Sequence, residues 1–488
     1  MKILFVASEG LPYSKTGGLA DVIDGLPRAL RALGHEVAVL LPRYRGNKIT
    51  STLISSMTVA LGGNLRFPAI AEGQPVEGVR HLFVDDPPFF DRAQLYGDEK
   101  GDYPDNAERF AELSLAAIEC VKRVWLPDVI HCHDWQTALV PVLLRTQYAS
   151  DPVVRALPVI LTIHNLGYQG LFPQAALRSI GLPDNLFTVD ALEFYGKVSF
   201  LKGGLIYADY LTTVSRRYAQ EIQTPEYGCG LEGVIRDSAD RLVGILNGVD
   251  YATWSPEADT LIAQNYSVHN LGGKKACKKD LLATFRLPEI NLDRPLVGIV
   301  SRFVDQKGFD LLEQIAGDLM KENLAIVALG NGRPEYERLF KGLAEKYSER
   351  VGVKIGYDNT LAHKIEAGSD MFLMPSRYEP CGLNQIYSLR YGTVPVVRAT
   401  GGLDDTVQNF VPKTQQGTGF KFEKYDGDAL LDCVRAALKT YRDPKAWRAV
   451  QANGMSKDFS WKASAAAYAA LYETAKRSRI PRVAGSSK

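Results

Sequence analysis

Residues 374–392 read MPSRYEPCGLNQIYSLRYG and join a short apolar run to a helix-like segment. The apolar run, residues 371–374, has the length of a buried strand, and Pro375 ends it. The helix-like segment covers about residues 383–391, and Gly382 directly before it leaves the first backbone N–H groups of the helix free to bind an anion. The stretch therefore predicts a strand, a polar turn and a helix, as in an α/β fold.

The polar turn carries a carboxylate at Glu379, which we expect to be exposed together with Arg377 and Tyr378. The turn follows the carboxyl end of a predicted strand, where open α/β sheets bind their ligands. A carboxylate beside free N–H donors suits a ligand that has both hydroxyl and phosphate groups. An ordinary strand-to-helix turn with a capping glutamate would have the same local sequence, so this stretch alone leaves both interpretations open.

The composition is that of an ordinary globular protein of two or three domains, with 488 residues, 46% hydrophobic and 23% charged. A net charge of +1 argues against a nucleic-acid or membrane-surface partner. No apolar run reaches the roughly 18 residues of a spanning helix, and the amino end reads as a strand instead of a secretory signal. The six cysteines contain no CxxC pair, so we expect reduced thiols and a cytoplasmic location.

Apolar strands alternate with helical stretches along the whole chain. Residues 2–8, 21–33 and 35–41 predict a strand, a helix and a second strand, which is a βαβ opening. Further strands are predicted at residues 82–84, 128–132, 159–163, 210–214, 296–300, 324–329, 351–355, 371–374 and 394–397. We therefore expect two doubly wound α/β domains, residues 1–245 and 246–459, with a last helix at about 460–478 that joins the first domain.

Two helical stretches each have one face with a clear character, the first apolar and the second lysine-rich, but the sequence does not show what each face contacts. Residues 460–476 place Trp461, Ala465 and Tyr468 on one side, together with Leu471 or Tyr472, and this apolar face must be buried. Residues 274–279 are rich in lysine, and we expect a solvated helix face there instead of a nucleic-acid site.

The first βα turn contains the glycine pair Gly17-Gly18 within KTGGLAD, residues 15–21. The glycines permit the backbone to approach a phosphate, and Lys15 adds a positive charge. The turn matches neither GxxxxGK[ST] nor GxGxxG. A plain tight turn stays an alternative.

The corresponding turn of the second half reads SRFVDQKG, residues 301–308. Arg302 and Lys307 lie where a loop enters a helix, and two cations there would suit a diphosphate. Ordinary surface charge is the alternative for this loop.

Polar residues also end the strands of the first half. His131-Cys132-His133-Asp134 resembles a metal site, but no further ligand pair has suitable spacing, so we expect no metal and favour Asp134 as a substrate contact. His164 and Asn165 follow the next strand and are either ligand contacts, which we favour, or a satisfied strand end. The sequence has no GxSxG elbow and no DxD placed for a divalent ion.

Taken together, eight motifs resemble the bacterial-type glycogen synthases and the related starch synthases. They are KTGGLAD, HDWQ, TIHN, SFLKGG, NGVD, SRFVDQKG, EPCGL and ATGGLDDTV, and they occur in family order from residue 1 to about 475. The resemblance implies the GT-B fold, with two Rossmann-like domains, a cleft between them and a C-terminal helix that crosses back onto the first domain. It also implies a retaining α-1,4-glucan synthase whose substrates are ADP-glucose and glycogen or another α-1,4-glucan.

The resemblance implies a role for each motif residue. The diphosphate would be held by Lys15, Arg302 and Lys307, and the donor glucose hydroxyls would be held by Glu379. The sugar side would be lined by Asp134, His164 and Asn165, and the adenine would stack on Tyr357. The backbone would approach phosphate and sugar at Gly18, Cys381, Gly382 and Leu383, and further contacts would come from Asp21 and Asn247. Asn384 stands where many bacterial members have threonine, as in plant-like members, and we do not interpret it as a loss of activity. Tyr387 stands where the wider GT-B pattern has a second glutamate, so the ribose contact stays unassigned.

For the mechanism we expect front-side attack, because the TIHN motif offers a histidine and carbonyl groups instead of a nucleophilic carboxylate. We expect no cofactor or metal, and a monomer or weak homo-oligomer. The alternatives are another GT-B enzyme, such as a transferase that makes a small glycoside or an epimerase, and a catalytically silent regulator. A silent regulator should lack Lys15, Arg302, Lys307 or Glu379, and all four are present. The choice between ADP-glucose and UDP-glucose is left open by the residues.

Overall fold

The computed structural model describes residues 1–478 and divides into two compact units. The first unit contains Met1–Gly248 and the described residues from Trp461 to Ser478, and the second contains Val249–Ser460. Each unit is built on a largely parallel sheet covered by helices. Within the described residues, no helix has the length and apolar character needed to cross a bilayer.

The first unit has short elements inserted between the strands of its main sheet. Its strands are β1 (Lys2–Val6), β2 (Glu36–Pro42), β3 (Ser51–Ile54), β4 (Val59–Leu61), β5 (Asn64–Arg66), β6 (Ala69–Glu72), β7 (Arg80–Asp85), β8 (Gly97–Asp98), β9 (Gly101–Asp102), β10 (Val129–His133), β11 (Val159–Ile163), β12 (Leu171–Pro173), β13 (Glu193–Phe194), β14 (Lys197–Ser199), β15 (Tyr210–Thr213) and β16 (Leu242–Gly244). Its helices are α1 (Gly18–Ala32), α2 (Pro87–Phe90), α3 (Asn106–Arg123), α4 (Asp134–Thr137), α5 (Leu139–Arg145), α6 (Ala176–Ser179), α7 (Phe200–Tyr207), α8 (Arg216–Glu221) and α9 (Glu232–Arg236), and α18 (Trp461–Arg477) at the end of the chain.

The main sheet of the first unit has nine strands in the order β16-β15-β11-β10-β1-β2-β7-β6-β3. All neighbours are parallel except the pairs that β6 makes with β7 and β3. Strand β1 lies between β10 and β2, so the strand order reverses there and the loops after β1 and β10 lie side by side. The central strands are buried on both faces because helices cover both sides of the sheet, and their side chains are largely apolar.

The second unit has a simpler alternation of strands and helices. Its strands are β17 (Leu296–Val300), β18 (Ala325–Gly330), β19 (Val351–Ile355), β20 (Met371–Met374), β21 (Val394–Arg398) and β22 (Phe420–Phe422). Its helices are α10 (Gly272–Thr284), α11 (Phe309–Leu319), α12 (Pro334–Lys346), α13 (Asn359–Gly368), α14 (Asn384–Arg390), α15 (Gly401–Thr406), α16 (Gly427–Tyr441) and α17 (Pro444–Met455). The sheet is parallel, in the order β19-β18-β17-β20-β21-β22, so its strand order reverses between β17 and β20.

The lysine-rich helix α10 corrects one expectation from the sequence. Lys274 and Lys278 are buried, not solvated. The Lys274 Nζ donates to the carbonyls of Ala367 and Tyr391, and the Lys278 Nζ pairs with Asp370 at 2.7 Å. These lysines tie α10 to the body of the unit, because their amino groups saturate carbonyls and a carboxylate that would otherwise be buried without partners.

The last helix, α18, buries its apolar face in the first unit, as expected from the spacing of its aromatic residues. Trp461, Tyr468 and Tyr472 are buried in the same cluster as the residues of α1. A Cβ atom at Gly25 of α1 would lie 1.9 Å from the Trp461 indole, so a glycine is required there for the two helices to approach. The hydroxyl of Tyr472 is 2.7 Å from His131 Nδ1 on β10, which joins the end of the chain to the central sheet.

Replacing Trp461 with alanine should destabilise the first unit by about 3–5 kcal/mol, because the indole leaves a cavity between α1 and α18. Calorimetric unfolding of Trp461→Ala beside the parent measures this loss. Lys462→Ala, on the exposed side of the same helix, is the matched control and should change stability by less than about 0.5 kcal/mol. A Trp461→Ala protein that melts like the parent would contradict the assigned packing.

Candidate active site

The second unit places a small cavity at the carboxyl ends of β17 and β20, where its strand order reverses. The cavity has a volume of about 170 Å³, and its lining includes Arg302, Lys307, Glu379, Gly382 and Leu383. The loops after neighbouring parallel strands meet at such a reversal, which explains why residues about 75 positions apart in the sequence converge. The structure thus brings together five of the predicted site residues.

An ion pair lies in this cavity between Lys307 Nζ and Glu379 Oε2, at 2.6 Å. The same carboxylate oxygen accepts a hydrogen bond from the hydroxyl of Ser376, at 3.0 Å. Glu379 is only 6% exposed, so the expectation of an exposed strand-end acid is wrong. The sequence placed this acid correctly at the strand end, but Lys307 and Ser376 cover it.

The turn that carries Glu379 is held by close backbone contacts. A Cβ atom at Gly402 would lie 1.9 Å from the carbonyl oxygen of Cys381, so the start of α15 must be glycine to pack against this turn. The side-chain amide of Gln385 donates to the carbonyls of Cys381 and Gly382 at 3.0 Å each. Asn384 Nδ2 donates to the Val300 carbonyl at 2.8 Å and so joins α14 to the end of β17. The turn is therefore fixed from both sides.

Two predicted residues of the second unit, Arg302 and Tyr357, differ in whether they line this cavity. Arg302 lines the cavity, is exposed, and its guanidinium pairs with no carboxylate in the described chain. Tyr357 is 82% exposed and follows β19, which is separated from β17 by β18. Tyr357 lies along the same sheet edge but does not line the cavity. An exposed aromatic ring there is available for stacking on a flat ligand.

In the first unit, the turn before α1 is organised by Glu9, which the sequence analysis missed. The buried Glu9 carboxylate accepts hydrogen bonds from the Thr16 N–H and hydroxyl, both at 2.6 Å, and from the Gly17 N–H at 3.2 Å. Burial raises the pKa of Glu9, while these hydrogen bonds lower it. An acidic residue three positions after β1 and seven before Thr16 was the available signal.

The other predicted residues of this turn are Lys15, Gly18 and Asp21. Lys15 Nζ pairs with Asp21 Oδ1 at 2.6 Å, and both side chains are partly exposed. No heavy atom lies within 4 Å of a Cβ atom built on Gly18, so the helix start is open to a ligand. Asp21 therefore neutralises the predicted phosphate-binding lysine in this structure, and Lys15 can exchange that weak, exposed partner for another.

Asp134 holds the turn after β11. Its Oδ1 accepts a hydrogen bond from the His164 N–H at 2.7 Å, and the Asn165 N–H also stabilises its charged form. Burial nevertheless raises the pKa of Asp134 to about 7, with a smaller contribution from the nearby negative charge of Glu9. Asp134 has a φ of 55°, a left-handed conformation that is unfavourable for residues other than glycine. This backbone conformation turns the carboxylate toward the neighbouring loop.

His164 is fixed by a second histidine that the sequence analysis did not assign. His164 Nε2 lies 3.0 Å from His133 Nδ1, and His133 is fully buried. Burial lowers the pKa of His164 to about 3, so its ring is neutral at ordinary pH. The side-chain Oδ1 of Asn165 accepts from the Gly167 N–H at 3.0 Å and shapes the same turn.

In the segment His131-Cys132-His133-Asp134, hydrogen bonds already engage both ring nitrogens of His131. His131 uses Nε2 toward the Thr162 hydroxyl at 2.6 Å and Nδ1 toward Tyr472. In residues 1–478 no group of three or more His, Cys, Asp or Glu side chains is arranged to hold a metal ion.

Asn247 lies at the end of the first unit and is buried. Its Oδ1 has no hydrogen-bond partner in the described chain. The structure therefore leaves this amide oxygen unsatisfied.

The chain has two Rossmann-like units, each with polar and charged groups at the carboxyl ends of its parallel strands. A model of the starch synthase catalytic domain matches residues 2–237, and a model of the glycosyl transferases group 1 matches residues 283–453. Together with the sheets, these matches define a GT-B glycosyltransferase. The catalytic domain of starch synthase IV from Arabidopsis thaliana, in a structure bound to ADP and acarbose, superposes with a TM-score of 0.88 at 34% identity, covering 97% of this chain and 99% of that one.

Curated relatives narrow the class further. The glycogen synthase of Koribacter versatilis is 57% identical over 99% of both chains, and glycogen synthase 2 of Geobacter sulfurreducens is 45% identical over 98% of this chain and 100% of that one. This chain belongs to the glycogen synthase family, as the eight motifs indicated. A sucrose-phosphate synthase from Thermosynechococcus elongatus shares the fold alone, with a TM-score of 0.61 at 19% identity over 98% of this chain and 99% of that one.

The raised pKa of Asp134 makes a prediction about the pH dependence of stability. In the folded chain Asp134 keeps its proton up to about pH 7, whereas in the unfolded chain an aspartate loses it near its usual value of 3.8. The unfolded state therefore binds fewer protons between about pH 4 and pH 7, and the free energy of unfolding contributed by Asp134 falls as pH rises through this window.

Asp134→Asn cannot titrate, so urea unfolding of parent and variant should show the parent losing stability relative to the variant between about pH 4 and pH 7. Above pH 7 the difference should become constant. Groups that titrate equally in both proteins cancel in this comparison. A difference that is flat across the whole range would contradict the assigned environment of Asp134.

Proposed function

We propose that this chain transfers glucose from ADP-glucose to the non-reducing end of an α-1,4-glucan, glycogen or a related polymer, with retention of anomeric configuration. The observation that carries the proposal is the cavity in which Arg302, Lys307 and Glu379 meet beside Gly382 and Leu383, just before α14. Those groups match a sugar joined to a diphosphate. The solved relative bound to ADP and acarbose supports the same assignment.

We assign binding of the donor's diphosphate to the cationic side chains of Arg302, Lys307 and Lys15. Lys307 is paired with Glu379 in this structure, so binding of the donor would exchange one oxygen anion for another at its amino group. Arg302 offers a planar fork of donors that suits two phosphate oxygens, and Lys15 adds a point charge from the first unit. Glu379, released from Lys307, would accept hydrogen bonds from the glucose hydroxyls. Tyr357 would stack on the adenine.

We assign the contacts near the donor's glucose to the turn after β11. Asp134 commits its carboxylate to the backbone N–H groups of His164 and Asn165, so it is not free to attack a sugar. Its role is then to position the TIHN turn, whose carbonyl groups would stabilise positive charge at the anomeric carbon. This arrangement favours front-side attack over a double displacement, because the latter needs a free carboxylate beneath the sugar.

In this mechanism the acceptor hydroxyl attacks the anomeric carbon as the bond to the diphosphate breaks. The hydroxyl proton passes to the departing phosphate oxygen, so no protein base is required. The cations neutralise the departing ADP, and we therefore propose a reaction that needs no metal or other cofactor. We further propose that the enzyme acts in the cytoplasm, as a monomer or weak homo-oligomer, without nucleic-acid or membrane partners.

The function is tested by incorporation of labelled glucose into glycogen from ADP-glucose and from UDP-glucose, with excess EDTA present. We expect faster incorporation from ADP-glucose than from UDP-glucose, because adenine offers the Tyr357 ring a larger surface for stacking than uracil does. Incorporation from neither donor would overturn the function. Inactivation by EDTA that is reversed by a divalent ion would overturn the metal-free mechanism.

Glu379→Ala should lower kcat by roughly a hundredfold or more, because the variant loses transition-state contacts to the donor sugar. It should also destabilise the second unit by about 1–3 kcal/mol, because the partly buried Lys307 loses its carboxylate partner. Steady-state kinetics and thermal unfolding measure the two effects.

Lys307→Ala and the double variant complete a cycle that separates the two effects. The double variant should regain part of the stability lost by Glu379→Ala, since no unpaired charge remains, but none of the activity. A fully active Glu379→Ala enzyme would contradict the site, and a double variant whose losses are simply additive would contradict the ion pair.

A further inference from the structure

The hairpin formed by β13 and β14 presents an aromatic ring to solvent at its tip. Phe194 pairs with Lys197, so the hairpin turns through two residues, Tyr195 and Gly196. Tyr195 is 81% exposed, and its hydroxyl has no hydrogen-bond partner among residues 1–478. The position of this ring is not explained by packing or by the catalytic groups described above.

The backbone at the tip is unfavourable for tyrosine. Tyr195 has a φ of 48° and Gly196 a φ of 76°, as in the tight hairpin turns that favour Asn-Gly or Asp-Gly. A bulky residue in this conformation is an outlier that costs stability. The chain uses positive φ values at Glu77-Gly78 as well, but there the Glu77 carboxylate pairs with Arg28 at 3.0 Å. Tyr195 has no comparable internal partner.

The hairpin that carries Tyr195 is firmly anchored. The buried Lys202 donates from Nζ to the carbonyls of Val189 and Glu193, at 2.6 and 2.5 Å. The Phe194 ring meets the Tyr195 ring edge-on, with centroids 4.8 Å apart. A Cβ atom at Gly230 would lie 3.2 Å from the Tyr195 ring, so a second turn supports the aromatic side chain. Contacts with Phe194 and Gly230 thus fix the direction of a ring that is otherwise exposed to solvent.

The surroundings of Tyr195 connect it to the turn that carries His164 and Asn165. Tyr168 is 54% exposed, and its N–H donates to the Asn165 carbonyl at 3.2 Å. The next residue, Gln169, donates from Nε2 to the carbonyl of Cys229, which adjoins Gly230 beneath Tyr195. Tyr168 therefore contacts the sugar side of the proposed active site directly, and Tyr195 is connected to it through Gly230, Cys229 and Gln169.

We propose that Tyr195, with Tyr168, forms a binding surface for the α-glucan acceptor, on which glucose rings stack outside the reacting site. This inference rests on the proposed function and names a contact for its polymer substrate. The apolar C–H face of a glucose ring packs against an aromatic ring, and a tyrosine hydroxyl can bond to the sugar hydroxyls. Exposed apolar side chains mark binding sites when they lie together. Leu171, on the strand paired with β14, and Val189, whose carbonyl accepts from Lys202, are both exposed.

The charge near the ring also fits a neutral polysaccharide. Glu193 and Lys197 flank the tip with one charge of each sign, so the surface attracts neither anions nor cations strongly. A second protein would be the other candidate occupant, but continuity with the turn at Asn165 favours the substrate of the same active site.

The decisive variant is Tyr195→Asn, because asparagine suits the turn better than tyrosine and the hairpin should fold at least as stably. The kcat/KM for glycogen should fall roughly three- to tenfold more than the kcat/KM for maltotriose, since one aromatic contact of this kind is lost. Tyr195→Trp, which keeps an aromatic ring, should retain most of the preference for glycogen. Glu77→Asn changes the equivalent turn elsewhere in the unit and is the matched control, with unchanged kinetics.

Direct binding is measured without catalysis through Cys229, which is the exposed one of the six cysteines, all of which are described. Maltoheptaose should slow the alkylation of Cys229 in the parent but not in Tyr195→Asn. If the parent is protected yet transfers no glucose, the proposed function fails while this surface stands. Equal glycogen-to-maltotriose ratios and equal protection in parent and Tyr195→Asn would overturn the surface. Altered self-association of Tyr195→Asn with unaltered glucan binding would identify a protein contact and overturn it too.

Discussion

The arrangement of polar groups in both units depends on one constraint, which is that parallel strands all end at the same edge of their sheet. In the second unit this constraint acts where β17 and β20 are neighbours, so that Lys307 and Glu379 form an ion pair. In the first unit it brings the loop after β1 near the loop after β10, and Glu9 influences the pKa of Asp134. The side chains that carry chemistry are thus positioned by strand order first and by local contacts second.

Local contacts then determine what each charged group can do. Every predicted catalytic carboxylate or lysine is already paired within its own unit: Lys15 with Asp21, Lys307 with Glu379, and Asp134 with backbone N–H groups. A ligand that binds Lys15, Lys307 or Glu379 must therefore compete with an existing partner. Such competition favours a ligand that offers several groups at once, since each exchange by itself yields little free energy.

The sequence predicts the strands of the two sheets well and the environments of polar side chains less well. Residues 159–163, 296–300 and 351–355 are strands with the predicted bounds, because short runs rich in β-branched residues favour strands. The sequence analysis missed the short strands β12, β13 and β14. They are stabilised by pairing with one another and not by a local sequence pattern. Lys274 and Glu379 were expected at the surface, because composition does not reveal the carbonyls and cations that lie around them. The role of His133 depends on a contact across 31 residues that no motif announces.

The placement of α18 in the first unit has a consequence for how the protein is made. The ribosome completes residues 1–248 and then all of the second unit before Trp461 emerges, an interval of roughly 10–40 s at ordinary rates of synthesis. Throughout that interval the apolar surface that later receives Trp461, Tyr468 and Tyr472 is exposed on the nascent chain. The half of the molecule that is translated first is therefore the last to finish folding, and it must be kept from aggregating while it waits.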